Sequence, residues 1–403
     1  MARLIRRHRR LFTAAGIIAV VALVAAVAAM QYKRSIPEAK LVAAEGQNLP
    51  LPVSTEIGWP SQGQAGVAVA GVGLIGESPN QKPQPIASLV KVMTAYVILK
   101  NHPLNNGEPG PDVEFQAADV QDYVSRGANA ESVVPVKAGD KMTERELLRG
   151  LLLASGNNLA DVLAEWHSGS VEAFVGAMNA EAQALGMTNT TYADAAGLLP
   201  ASASTAHDQI MLANAAMAMP AFASIVRETQ ASLPGAGIVF NTNSELARGN
   251  VVGIKTGWTE EAGACFLFAS EKHIGDRTVT VIGATLGQDT LADAFARSRE
   301  LMAAGSDSVS LVTVAKDGQR MGVIDTPWGA TSDAVLAGDA NLLLIPGMEV
   351  STDLALGTTA GITEGAEVGT VKFTAGDQVI ELPLKASATV PNPSLGWRMT
   401  RIR

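Results

Sequence analysis

The chain has one cysteine, Cys265, so it can form no internal disulfide and offers no cysteine cluster to a metal. Its five histidines (His8, His102, His167, His207 and His273) show no HExxH or related ligand spacing, which argues against a metal centre. Basic residues are outnumbered: the net charge of -9 and the lack of a basic stripe argue against a nucleic-acid partner. Aromatic residues are sparse at 4%, leaving alanine, valine and leucine to fill the interior. Charged residues make up only 17% against 47% apolar, a balance that excludes a disordered chain. At 403 residues the chain is long for one domain and suits two domains plus a targeting segment. Without cysteine pairs, the compartment has to be read from the N-terminus.

Residues 1–10, MARLIRRHRR, carry five arginines, and residues 11–30 carry no charge. Twenty apolar residues are enough to cross a hydrocarbon core of about 30 Å as a helix. The arginine excess before the run, against Lys33 and Arg34 after it, places residues 1–10 in the cytoplasm and the body outside. A removable signal has a shorter apolar region, so a retained transmembrane anchor is the preferred expectation. Ala26-Val27-Ala28 nevertheless offers a cleavage site, in which case the protein would be secreted. Residues 31–60 contain Pro37, Pro50, Pro52 and Pro60 without sustained period and read as a linker.

Residues 65–76 suggest paired strands, and SLVKVMTAYVILK from Ser88 reads as a helix apolar on all faces, buried in a large domain. Thr143-Glu144-Arg145-Glu146 is a capping box opening a helix that stops at Gly156. Helical periodicity continues over 158–186, residues 187–206 read as loop, and another helix is expected over 208–218. Strand patterns fill 251–285, and 291–304 return to helix. After about 307 come short alternating runs separated by Gly, Asp and Pro, the pattern of a small all-β domain. The expected division is therefore a catalytic domain over 61–306 and a β-rich domain over 307–403.

Ser88 and Lys91 stand one helical turn apart on one face. A neutral lysine beside a serine can remove the hydroxyl proton and make a nucleophile, and a helix N-terminus favours a developing oxyanion. As a bare pattern, Ser-x-x-Lys reads more readily as an N-cap serine with a snorkelling lysine. Two further elements change that reading. Ser155-Gly156-Asn157 lies at the break after the second helix, where alone it would be a C-cap with Gly156 in the left-handed region. Lys255-Thr256-Gly257 lies in a strand pattern, where glycine allows a substrate backbone to approach.

The three motifs in this order resemble the penicillin-recognising serine acyl transferases. Their flanks, PIASLVKVMTA, VPVKAGDKMTERELLRGLLLASGNNLAD and VVGIKTGWTEEAGACFLFA, are similar to the low-molecular-weight D-alanyl-D-alanine carboxypeptidases of peptidase family S11. The resemblance covers roughly residues 61–300, and GITEGAEVGTVKFTAGDQVIELPL is similar to that family's second domain.

The resemblance implies an α/β catalytic domain, an antiparallel sheet with flanking helices, followed by the all-β domain. It implies Ser88 as nucleophile, Lys91 as base, and Ser155 with Lys255 relaying a proton to the leaving amine. Asn157 would hold the substrate amide and orient Lys91. Lys255, Thr256 and Gly257 would receive the substrate, and the amides of Ser88 and Trp258 would form the oxyanion hole. The implied substrate is the peptidoglycan pentapeptide, with β-lactams as covalent inhibitors and no cofactor. Asn158 departs from the aspartate many members carry after this tripeptide.

A class A β-lactamase is disfavoured because residues 187–206 contain Asp194 but no glutamate to activate a deacylating water. The alternatives kept are a D-alanyl endopeptidase of the same family and a β-lactam-binding sensor or inactive module. Ser204–Asp208 reads as a helix start capped by Ser204 or Thr205, and Cys265 as a small buried hydrophobe.

Overall fold

The computed structural model describes residues 2–43, 56–105, 107–357 and 362–401. Its helices are α1 (Ala2–Lys33), α2 (Val90–Asn101), α3 (Ala117–Ala128), α4 (Glu144–Leu152), α5 (Asn157–Ser168), α6 (Val171–Ala184), α7 (Ala206–Met217), α8 (Pro220–Val226), α9 (Leu291–Ser308) and α10 (Leu395–Thr400).

A five-stranded sheet carries the first part of the body. Across it run Val251–Thr259, Gly263–Ile274, Arg277–Gln288, Gln64–Val69 and Gly73–Glu77, all neighbours antiparallel. Strand alternation separates two apolar layers. In Gly263–Ile274, Ala264, Phe266 and Phe268 face α9, while Cys265, Leu267 and Ala269 face a lobe built from α2 and α4 to α8. Helix α2 runs through that lobe with every residue from Val90 to Leu99 buried, so no polar stripe is needed or present. Cys265 is fully buried and burial pushes its thiol up to about 12, the behaviour of an inert hydrophobe.

Local signals act as the residues dictate. Thr143 Oγ1 accepts from Glu146 N while Glu146 Oε2 accepts from Thr143 N, the reciprocal box that starts α4. Thr205 caps α7 through Asp208 N, which makes Ser204–Asp208 a helix start. The helical stretch expected over 158–186 is two helices, because Gly169 adopts φ 78° and ends α5. Helices α3 and α8 and the hairpin Gln230–Leu233/Gly237–Phe240 lie in stretches where no element was anticipated.

Helix α9 runs to Ser308, and the first strand of the all-β part begins at Ser310. That part holds a six-stranded antiparallel sheet and the pair Ser310–Ala315/Ala340–Leu344, packed around Leu336, Leu342, Leu344, Val371, Phe373 and Leu384. Lys40–Ala43, inside the stretch read as linker, is a strand on the edge of that sheet, paired with Arg320–Asp325. Residues 44–55 of the same stretch lie outside the described residues.

Leu11–Lys33 is apolar and long enough to cross a membrane, with a mean hydropathy of 2.7. At its end, α10 docks: Gln31 Nε2 donates to Arg401 O at 2.7 Å, and the Arg401 guanidinium donates to the carbonyls of Arg34 and Ser35.

Phe266 is fully buried, with ring centroids 4.9 Å from Phe295 and 6.0 Å from Phe268. Phe266→Ala should lower the unfolding free energy by about 3–5 kcal/mol, measured by denaturant titration of the full chain. A loss below about 1 kcal/mol would mean that α9 is not closely packed on the sheet.

Candidate active site

Ser88 sits in the 3-10 turn Ala87–Leu89 that feeds α2, and Leu89, not Ser88, is the residue capping that helix. Ala87 adopts φ 48°, a left-handed conformation that turns the serine toward the sheet. Two glycines let this turn lie where it does. A side chain at Gly197 would collide with the Ala87 carbonyl oxygen, and one at Gly257 would begin 2.9 Å from Ser88 N. The space at Ser88 N is therefore kept open by Gly257 on the strand opposite.

Lys91 does not snorkel. It is 0% exposed, and its Nζ lies 2.9 Å from Ser88 Oγ and 2.6 Å from Ala196 O. Burial holds the amine well below the usual lysine range, and the nearby Lys255 lowers it further. A neutral amine donates one N–H to Ala196 O and keeps its lone pair for the Ser88 hydroxyl. Lys255 is also buried, and burial alone brings it down to about 7; its Nζ donates to Thr256 O at 3.0 Å. The carbonyl that orients Lys91 belongs to a loop fixed by Asp194, whose carboxylate accepts from Leu198 N and from Ser202 Oγ. Asp194 is thus occupied within its own loop and lies off the lining of the cleft.

The cleft measures about 440 Å³ and is lined by Ser88, Ser155, Asn157, Thr242, Thr256 and Trp258 among others. The three sequence motifs meet here, with Lys91 and Lys255 just behind the lining. Ser155, at the break between α4 and α5, takes the left-handed conformation itself, with φ 60°. Gly156, expected there, is extended with φ -60° and ψ 105° and packs against Val134. Among the described residues Ser155 is hydrogen-bonded to neither lysine, so the relay that the resemblance implies is not preformed. Asn157 is likewise not bonded to Lys91; its Nδ2 donates to Glu131 Oε2 at 3.0 Å. Trp258 is 59% exposed at the mouth, in keeping with a position where the backbone amide and not the side chain matters.

Residues without a motif also reach the cleft. Thr242 Oγ1 lies 2.8 Å from Thr256 Oγ1, forming a hydroxyl pair, and no arginine lines the cleft among the described residues. Asn158 explains its own departure from aspartate. Its Oδ1 accepts from Val134 N at 3.0 Å and its Nδ2 donates to Val134 O at 2.9 Å. An aspartate would supply only the accepting half.

This arrangement, a serine beside a buried lysine held well below its ordinary range and under an open amide, suits acyl transfer. Residues 71–290 match the profile of the D-alanyl-D-alanine carboxypeptidase family, peptidase S11. The chain belongs to that family. The D-alanyl-D-alanine carboxypeptidase DacC of Escherichia coli K12 is 30% identical over 322 residues, covering 73% of this chain and 75% of the relative. A Pseudomonas aeruginosa protein named D-alanyl-D-alanine endopeptidase is 31% identical over 218 residues, 52% of this chain and 67% of that one. The crystal structure of penicillin binding protein 5 from Haemophilus influenzae shares the fold, with a TM-score of 0.60 at 22% identity over 84% of this chain and 99% of that one. The fold expectation, a sheet with flanking helices followed by a β-rich part, is met. This is a serine-type D-alanyl-D-alanine carboxypeptidase, and Ser88 and Lys91 lie within hydrogen-bond distance in its cleft.

Because the Lys255 ammonium depresses Lys91, removing it should raise the Lys91 pKa. With Lys91 as the expected base, the acylation rate should fall as pH drops through that value. In Lys255→Ala the acid limb of the acylation-rate profile should therefore move to higher pH, alongside a loss in rate. A limb that stays put, or moves lower, would dissociate the two lysines.

Proposed function

We propose that Ser88 attacks the carbonyl of the penultimate D-alanine of a peptidoglycan stem pentapeptide. The Ser88 proton passes to Lys91 Nζ as the Oγ–C bond forms. The oxyanion is received by the backbone amides of Ser88 and Trp258, beside the space that Gly257 leaves open. The C–N bond then breaks, the amine takes a proton through Ser155 and Lys255, and free D-alanine leaves. Water attacks the acyl-enzyme and restores Ser88. The terminal carboxylate is taken by Lys255 with the hydroxyls of Thr256 and Thr242, since no arginine lines the cleft among the described residues. β-Lactams acylate the same serine. The observation that carries this reading is the 2.9 Å approach of a fully buried Lys91 Nζ to Ser88 Oγ.

The apolar helix Leu11–Lys33 supports a location in the cytoplasmic membrane, a single pass with residues 1–10 inside and the catalytic domain outside. Cleavage of that segment would instead release a secreted enzyme. Within the same chemistry, cutting of D-alanyl cross-links is the second reading, favoured by the likeness to the Pseudomonas protein.

Purified muropeptides incubated with the full chain in detergent separate the two. Pentapeptides losing one D-alanine support carboxypeptidase action, while dimers turning to monomers support the endopeptidase. Ser88→Ala should abolish both products and fluorescent-penicillin labelling while remaining folded. Persistent labelling of Ser88→Ala would overturn the nucleophile assignment.

A further inference from the structure

Glu144, the first residue of α4, is a carboxyl group with no place for a charge. It is 0% exposed, and neither of its oxygens has a hydrogen-bond partner among the described residues. A carboxylate in the first turn of a helix ordinarily meets the free amides there. Here those amides are taken. Glu144 N donates to Pro111 O at 2.9 Å, Arg145 N to Pro109 O at 3.0 Å and Glu146 N to Thr143 Oγ1 at 3.3 Å. Residues 107–111 therefore cover the start of α4. Arg145 holds the same stretch from the side, its guanidinium donating to Glu108 O at 2.6 Å and to Asn105 O at 3.0 Å. Gly110, with φ 74°, lies so close that a side chain there would collide with Glu144 Cβ and Oε2.

In such a place an ionised carboxylate lacks every compensating donor, whereas the protonated acid is only a polar group left unpaired. Burial pushes the Glu144 carboxyl up from 4.5 to about 7; the Arg145 cation works against that rise and the Glu108 carboxylate adds to it. The other elements packed on α4 bring no charge bonded to Glu144. Lys100 of α2 and Lys141 pair with Glu181 and Glu114. Helix α5 carries Asp161, tied to Arg126, with Glu165 and His167, while α8 and the strand Gln230–Leu233 carry no charged residue. Once residues 107–111 lift, the carboxyl meets water and titrates as an ordinary glutamic acid. A raised pKa in the closed form favours that form in full below the ordinary value of 4.5. The advantage is lost as pH rises through about 7.

We propose that Glu144 is a proton-operated latch: while its carboxyl holds a proton, residues 107–111 stay folded over the start of α4, and ionisation releases them. The proton goes to solvent water as the stretch lifts. Glu144 lies off the lining of the cleft, so the latch does not enter the acyl-enzyme chemistry and does not depend on that reading. It braces the helices behind it, because residues 107–111 follow α2 and α4 runs on to the break bearing Ser155.

Hydrogen exchange of the full chain in detergent, followed by mass spectrometry from pH 5 to 8.5, reads the latch directly. Rates are divided by the chemical exchange rate at each pH, which leaves the opening equilibrium. For fragments holding Glu144 and Arg145, opening in wild type should rise by about 10- to 100-fold across that range. Fragments from α9 should show no such rise. Glu144→Gln and Glu144→Met, both neutral at every pH and of similar length, should give a flat profile. The Glu144 carboxyl carbon, assigned by its absence in Glu144→Gln, should titrate well above 4.5.

A flat wild-type profile would overturn the proposal without any variant. So would a pH-dependent rise that survives in Glu144→Met, or a Glu144 carboxyl that titrates at its ordinary value.

Discussion

The structure turns on the burial of one amine. Lys91 lies on a helix apolar on every side, with no carboxylate bonded to it, at a place where an ammonium would be poorly solvated. Desolvation lowers its affinity for a proton, which favours the neutral form that a base for the Ser88 hydroxyl would need. The neighbouring lysine of the third motif pushes the same way. The proposed role of Ser88 as nucleophile thus rests on packing as much as on the serine–lysine spacing.

Much of the surrounding architecture serves to keep that amine dry and aimed. Helices α4 to α8 close over α2 from one side, and the sheet closes from the other. Asp194 folds the loop that offers Ala196 O to Lys91, and Gly197 lets that loop touch the Ser88 turn. Gly257 does the same from the strand. Each of these positions holds a small residue or a backbone group because the chain approaches itself closely there. A larger residue at either glycine would separate Ser88 from its amides before it altered any chemistry.

The parts legible in the sequence were those with local signatures. The capping box of α4, the Thr205 cap of α7, the strand run after Val251 and the change to short alternating strands near 307 all depend on neighbours in sequence. The three motifs were legible because serine, lysine and asparagine at fixed offsets carry a chemical meaning that many families reuse. The residues that complete the site lack such a mark. Ala196 acts through its carbonyl, which any residue would supply. Thr242 and Glu131 reach the cleft across the fold, 14 and 26 residues from the partners they bond. Ser155, rather than Gly156, takes the left-handed conformation, because Gly156 is needed for its lack of a side chain against Val134. Lys40–Ala43 pairs with a strand some 280 residues later, a pairing that periodicity within the stretch does not reveal.

The central claim, that Lys91 is a neutral amine at working pH, is open to direct measurement. The full chain labelled at lysine Cε, with the Lys91 signal assigned by its absence in Lys91→Arg, is titrated by NMR. The account predicts a Lys91 resonance that titrates well below the ordinary lysine value of 10.5. A Lys91 that stays protonated up to that ordinary value would contradict it, and the proton from Ser88 would have to go elsewhere.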